Sequence, residues 1–586
     1  MSSPLESIPY DVLLHIAFLL ASEGLLDCLS ALRNLLLTSR TMYTDLNVRG
    51  NPFLYARLFH HQFDSPTSTS ASAERTSTSL ALEYIARRNL LRRSRSHTWD
   101  EGHLLSDMRC AFRMSIEGNG ANEQQLAMAG FPGQLLNLTE AYLPLGDGAG
   151  THLRELKAIL VWLLSLSISR DVISNVSPAR LENLCLLLHR FAVPLPNNNT
   201  VPAVWYSGLI SAPAHPRRDF IASSQLQGHN GERQAQLGQG ARRQLGVAEL
   251  SPRCTHPLAT LQPCFAAINL IFAMKETCPL SIPPHLPDTR AIALANQVTG
   301  PTRQDLREFE SCKTPLFADG LASLLTVGPS PPSSQSASET PRATTTLRPA
   351  SRRSESHDRE LHQLFGSAPP GSEHALAGSH NPYAPGAFSG LWSGSMMTEG
   401  CMPQQDGGEE RPDFNNRQPL QVMLRSYHRY SDTPHTPVPS NDVSSGEERP
   451  FDVFPFQPAL PNDFERSLEQ SHHVKWMSNG AAVGPDKATS PKATRSAEVV
   501  DTVFVGETTE EFDQAWKGFT YIGCIQRGGL VLLQRKPKNQ AEEYLGITLF
   551  EGRLRNGQTF VGRWRNSIEE QGPRGIFSLV KATESG

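Results

Sequence analysis

The nine cysteines of this 586-residue chain include no CxxC pair, so neither a disulfide framework nor a zinc ribbon is expected. A reducing, cytoplasmic or nuclear compartment suits that pattern. Long apolar runs are also missing. The most apolar one, Ile159 to Ile168, is too short to span a bilayer, which takes about 20 residues, so no membrane association is expected. Pro4, Glu6 and Asp11 interrupt any signal-peptide n-region, and the sequons at Asn137, Asn175 and Asn198 carry little weight in an intracellular chain. Charge of one sign is absent too: 54 Lys+Arg face 58 Asp+Glu, which argues against a nucleic-acid partner.

Motifs that carry chemistry are equally scarce. The glycines of Gly118-Asn-Gly120 and Gly146-Asp-Gly148-Ala-Gly150 complete neither a dinucleotide fingerprint nor a phosphate loop. No His-Glu-x-x-His or Gly-x-Ser-x-Gly occurs, and nothing repeats at a fixed length. His60-His61 and His472-His473 are adjacent pairs whose side chains point apart on a helix or strand, which suits surface histidines better than shared ligation. No catalytic residue, metal site or cofactor is therefore expected.

The length exceeds what one hydrophobic core organises, and 43 Gly and 44 Pro with only 19% charged residues point to long irregular stretches. The expected architecture is multidomain α+β, and it starts with helices. Leu5, Ile8, Val12, Ile16 and Leu19 recur at helical spacing, with Pro9 in the first turn and Asp11 near the positive helix start. A second run follows through Leu25, Leu29, Leu32 and Leu36, and Asn51-Pro52 opens a third carrying Phe53, Leu54, Leu58, Phe59 and Phe63. Leu13, Leu14, Phe18 and Leu20 lie beyond the first stripe. So small a unit is expected to leave part of that apolar surface for a partner.

Leu5-x-x-Ile-Pro-x-Asp-Val-Leu-x-x-Ile16, Leu37-Thr-Ser-Arg40 and Asn51 to Asp64 together resemble an F-box of the fungal type, here residues 1–64. Leu46 stands where many relatives carry a tryptophan-containing segment. The resemblance implies docking to a Skp-type adaptor protein and, through it, to a cullin. Leu5, Ile8, Pro9, Asp11, Val12, Leu13, Ile16, Leu20 and Leu36 are the expected adaptor contacts.

A Ser/Thr-rich linker occupies 65–79. A helical body spans 80–320, with helices at Leu80 to Leu91, His152 to Ile168, Pro178 to Phe191, Gln262 to Met274 and Thr289 to Val298, and an irregular insertion near 194–253. The cluster Arg87, Arg88, Arg92, Arg93 and Arg95 reads as a solvated helix face rather than an import signal. Residues 327–449 are low-complexity and expected to be disordered. Residues 450–583 form a β-rich domain with strands mainly over 499–581. Phe519 to Ile525 and Leu530 to Arg535 flank Gly528-Gly529, while Ile547 to Leu554 and Gln558 to Arg565 flank Asn556-Gly557, the strongest local hairpin signal. Gly575 to Lys581 adds a strand, and the whole is expected to be an antiparallel sheet or small barrel.

Trp516 to Gly523 and Phe560 to Arg565 are similar to the C-terminal module of fungal F-box proteins. With Phe550, Phe560 and Trp564 inward as core, Arg553, Val561, Arg563 and Arg565 are expected outward as a substrate-binding face for an acidic or phosphorylated partner. F-box resemblance implies a non-catalytic substrate receptor of a cullin-RING ubiquitin ligase. The competing expectation is a scaffold or ligand-binding protein whose adaptor complex never joins a ligase.

Overall fold

A computed structural model describes residues 8–22, 29–64, 76–117, 120–146, 150–193, 263–320, 383, 386–402, 411–430, 476–478, 499–525, 529–566 and 573–582. Helices occupy the N-terminal part and a closed antiparallel barrel the C-terminal part, an α+β arrangement.

The N-terminal unit has four helices rather than the three expected: α1 (Tyr10–Ser22), α2 (Leu29–Leu36), α3 (Arg40–Leu46) and α4 (Pro52–Gln62). The Ser39 hydroxyl accepts the Met42 amide and starts α3 as a separate helix. The face that α1 buries is Leu13, Ala17 and Ala21, not the expected Ile8, Val12 and Ile16 stripe. Two alanines let α4 approach closely, and hydrogen bonds tie the two helices in parallel. Asn51 Nδ2 donates to Tyr10 Oη at 2.7 Å, and Gln62 Nε2 donates to the Ala21 carbonyl at 2.8 Å.

The helical body follows as α5 (Ser77–Ser96), α6 (Glu101–Ile116), α7 (Ala121–Met128), α8 (Phe131–Tyr142), α9 (Gly150–Ser167), α10 (Arg170–Ser174), α11 (Pro178–Ala192), α12 (Cys264–Lys275), α13 (Arg290–Ala295) and α14 (Arg303–Ser311). Thr76 caps α5, so the helix starts inside the expected 65–79 linker, whose residues 65–75 lie outside the described ones, as does the 194–253 insertion. The basic cluster on α5 is not a uniformly solvated face. Arg87 and Arg88 are buried, and Arg93 pairs with Asp107. Arg87 donates to Glu83 at 2.5 Å, Glu117 at 2.6 Å and Asn122 at 3.1 Å, with its guanidinium 4.6 Å from the Phe59 ring centroid. It thereby joins α4 to α5 and α6. In α12, every residue from Cys264 to Met274 except Asn269 is buried. A helix apolar all round needs covering on every side, and α9, α11 and the barrel supply that cover.

Nine strands make the sheet: β1 (Gly390–Met402), β2 (Arg411–Tyr430), β3 (Trp476–Ser478), β4 (Val499–Glu507), β5 (Phe519–Ile525), β6 (Val531–Pro537), β7 (Thr548–Arg555), β8 (Thr559–Asn566) and β9 (Arg574–Lys581). Their order is β1-β9-β8-β7-β6-β5-β4-β2-β3, and β1 also pairs with β2. All pairings are antiparallel, so eight strands close up and down while short β3 extends the end of β2. Asn556 and Gly557, at φ 50° and 66°, make the left-handed turn that the Asn-Gly pair signals.

β1 and β2 correct the expected 327–449 linker, because two of the longest strands lie inside it. Serine, glycine and arginine hide the pattern, yet Leu420, Val422 and Leu424 alternate inward at period two. Apart from Tyr383 and 386–389, the rest of that segment that is neither β1 nor β2 lies outside the described residues.

The barrel interior holds Phe388, Trp392, Phe504, Phe550, Phe560 and Phe577, among other apolar side chains. Helices cover part of its outer wall. Met397, Phe414, Val561 and Ile576 join the core of the helical body, so helices and barrel share one continuous apolar interface.

Candidate functional site

Three places bear on function: the free surface of the N-terminal helices, the outer wall of β7 and β8, and the barrel interior.

At the N-terminus, Leu13 is buried and therefore unable to serve as a contact for a partner. Pro9, Asp11 and Val12 are exposed, while Ile8, Ile16, Leu20 and Leu36 are half-buried; Leu5 lies outside the described residues. Phe18 is half-buried under Arg57, whose guanidinium sits 4.1 Å from its ring centroid. The apolar side chains left outside are Tyr10, Val12, Leu19, Leu37, Tyr43 and Phe53, each between 45% and 68% exposed. Val12, Ile16 and Leu19 follow one another at steps of four and three along α1, a stripe on the side away from Leu13, Ala17 and Ala21.

The outward arginine face on the barrel does not stand free. Alternation correctly separates Phe550, Phe560 and Trp564, which point inward, from Arg553, Val561 and Arg563, which point outward. Outward here means under the helices. Val561 is fully buried and Arg553 is 3% exposed, with its guanidinium 5.9 Å from the Phe265 ring. Arg563 donates from Nε to the Ala192 carbonyl at 2.6 Å and from Nη2 to Cys264 Sγ at 2.9 Å. Burial pushes the Cys264 thiol pKa up, against the opposing pull of Arg563. Arg555 lies 4.5 Å from the Trp162 ring centroid. Of the four expected substrate contacts only Arg565 is exposed. A single strand's alternation distinguishes two faces, but it does not say that another layer covers the second.

The remaining seam between barrel and helices is polar. Glu276, at the end of α12, accepts the Thr314 amide at 2.7 Å and hydroxyl at 2.8 Å, and Arg170 and Arg417 lie 3.4 and 3.7 Å away. Thr314 Oγ1 is in turn 3.0 Å from Ser578 Oγ on β9. These groups hold the layers together.

Inside the barrel, β6 runs Val531, Leu533, Arg535 inward. The Arg535 guanidinium lies 4.2 Å from the Phe519 ring centroid and 5.6 Å from that of Phe550. Its hydrogen bonds go to Thr548 Oγ1 at 3.3 Å and Met396 Sδ at 3.6 Å, both neutral. Tyr521 packs beside it with a buried hydroxyl close enough for the two side chains to interact. Burial raises the Tyr521 pKa to about 12 and lowers that of Arg535.

Among the described residues no cluster of three or more His, Cys, Asp or Glu side chains is placed to hold a metal ion, and no helix is long and apolar enough to cross a membrane. No protein-family model, curated protein or solved structure matches the chain.

Proposed function

We propose that this chain is the substrate-receptor subunit of a cullin-RING ubiquitin ligase and has no catalytic group of its own. Helices α1 to α4 dock a Skp-type adaptor, and the helical body with its barrel holds a protein substrate. Rate enhancement then comes from tethering, which raises the effective concentration of substrate beside the ubiquitin-loaded enzyme. The observation that carries this reading is the apolar surface of the N-terminal helices. Of the thirteen large apolar side chains left exposed among the described residues, six fall between Tyr10 and Phe53. Exposed apolar side chains concentrated on one small unit mark a protein interface, and the F-box resemblance of that unit supplies the class of partner.

The test uses Val12→Asp with Leu19→Asp, both on the exposed side of α1. The double variant should keep its helical circular dichroism and lose adaptor capture. Undiminished capture by a folded variant overturns the reading. Co-purification of a cullin with the wild-type chain separates a ligase receptor from an adaptor-bound scaffold.

A further inference from the structure

Four neighbouring strands of the barrel, β2, β4, β5 and β6, form an outer wall that the described helices do not account for. Leu424, Phe504, Tyr521 and Leu533 point into the barrel, so alternation turns Tyr427, Val503, Val505, Ile522, Cys524 and Leu532 outward. Register sets these six side by side. Tyr427 lies opposite Val503, Val503 opposite Cys524, Cys524 opposite Leu532, and Val505 opposite Ile522. They make one continuous apolar patch. Its centre is a hydrophobic cluster separate from both the barrel interior and the core of the helical body.

That cluster is covered. Val503 is 3% and Tyr427 6% exposed, with Val505 and Cys524 half-buried against them. Among the described residues, β4 and β5 have other strands and no helix as their main neighbours. Small apolar clusters apart from the main core form beneath long connections. Two connections begin and end at this corner of the barrel, and both lie outside the described residues. Residues 431–475 leave from the end of β2 and return at β3, whose Ser478 pairs with Tyr427, while 479–498 join β3 to β4. The shorter one has Val483 as its one large apolar residue. The longer one carries Phe451-Asp-Val-Phe-Pro-Phe456, followed by Pro458 and Pro461, so that proline stands at every third position from Pro455.

We propose that the outer wall of β2, β4, β5 and β6 is the docking surface for the chain's own segment 451–461, whose phenylalanines seat over Val503, Cys524 and Leu532. Proline at every third residue favours the extended polyproline II form, in which residues three apart share a side. Phe451 and Phe454 then face the wall together. Proline has no N–H to pair with a strand, so the segment lies on the face of the sheet and adds no strand to it. A segment already extended gives up little conformational entropy on docking. The tethers 431–450 and 462–475 hold it beside the patch at an effective concentration on the order of millimolar. Charge agrees, because Asp452 meets a patch bordered by the outward residues Arg425 on β2 and Lys536 on β6. Adaptor docking plays no part in this contact.

Two measurements on the full-length chain test it. In the first, Cys524 reports on the cover. Its alkylation by iodoacetamide is followed by peptide mass spectrometry in the wild type and in a triple variant, Phe451→Ser with Phe454→Ser and Phe456→Ser. Cys524 should react at least about tenfold faster in the variant, because loss of even one buried phenylalanine shifts a local opening equilibrium by that factor. Buried Cys264 should keep its rate. In the second, a photoreactive benzophenone side chain replaces Leu532 and should cross-link to 451–461 of the same chain. That measurement leaves the segment unaltered, so it decides the matter should the triple variant fail to fold, which faster alkylation of Cys264 would reveal. An unchanged Cys524 rate in the folded variant overturns the proposal. So does a Leu532 probe that cross-links to another segment, to a second copy of the chain, to a co-purifying protein, or to nothing.

Discussion

Arg563 on β8 donates to the carbonyl of Ala192, the last residue of α11, at 2.6 Å across 371 residues of chain. Carbonyls at a helix end have no intrahelical partner, and this one is satisfied from the barrel. The same guanidinium reaches Cys264 at the start of α12, so one side chain ties two helices to the sheet. Helical body and barrel are thus mutually dependent, in contrast to two units joined only by a linker.

Arg563→Ala should destabilise the chain by about 2 kcal/mol, from lost charge-assisted bonds and an orphaned carbonyl. Arg565→Ala, at an exposed site on the same strand, should stay within about 0.5 kcal/mol. Denaturant unfolding of both variants checks the contrast, and equal effects would show that the seam at Arg563 contributes little.

Removing the barrel should unfold more than the barrel. Truncation before Gly390 uncovers α12, which is buried on every side. The truncated chain should aggregate or bind a hydrophobic dye, whereas a soluble fragment with sharp thermal melting would contradict the shared core.

Arg87 should tolerate no neutral replacement. It is fully buried and pairs with both Glu83 and Glu117. Arg87→Met removes the cation that bridges the two carboxylates, while Arg113 stays 3.8 Å from Glu83, a loss of about 3 kcal/mol for a broken buried pair. Thermal melting of the variant measures it.

Two glycines should respond with opposite sign to alanine. A Cβ at Gly552 would meet the Val561 carbonyl oxygen at 2.4 Å and the Phe560 and Phe577 rings at 2.9 Å. Gly552→Ala should therefore destabilise by about 1–3 kcal/mol or more through overpacking. At Gly133 in α8 a Cβ meets nothing within 4 Å, so Gly133→Ala should stabilise by about 0.5–1 kcal/mol. Chemical melts of the two variants give both signs.

Acid should weaken the barrel through His428. Its Nε2 accepts the Gly386 amide at 3.2 Å, and Nδ1 lies 3.0 Å from Thr502 Oγ1. Burial holds its pKa below the ordinary 6.5, so the folded state favours the neutral ring. The associated stability is fully present above the unfolded pKa and is lost as pH falls from there through the folded value. Urea midpoints should drop as the pH falls below the ordinary histidine value of about 6.5, and His428→Gln should flatten that slope. An identical slope in the variant would exclude His428 as the responsible group.

Local order was legible in the sequence because it depends on neighbours in the chain. Period and capping place α9, α11 and α12 within a few residues, and Asn556-Gly557 marks the β7–β8 turn because few residues adopt two successive positive φ angles. Inward placement of Phe550, Phe560 and Trp564 follows from strict alternation. Tertiary structure alone decided what covers each face. Leu13 rather than Val12 is buried because α4 packs against the Ala17 side of α1. Arg553 and Arg563 are covered because α11 and α12 lie over that part of the wall, while Arg565 stays exposed. Strands β1 and β2 become strands by closing a sheet whose other edges, β9 and β4, arrive from far along the chain. Pattern along a chain specifies which side chains share a face, but burial depends on the surface that face meets.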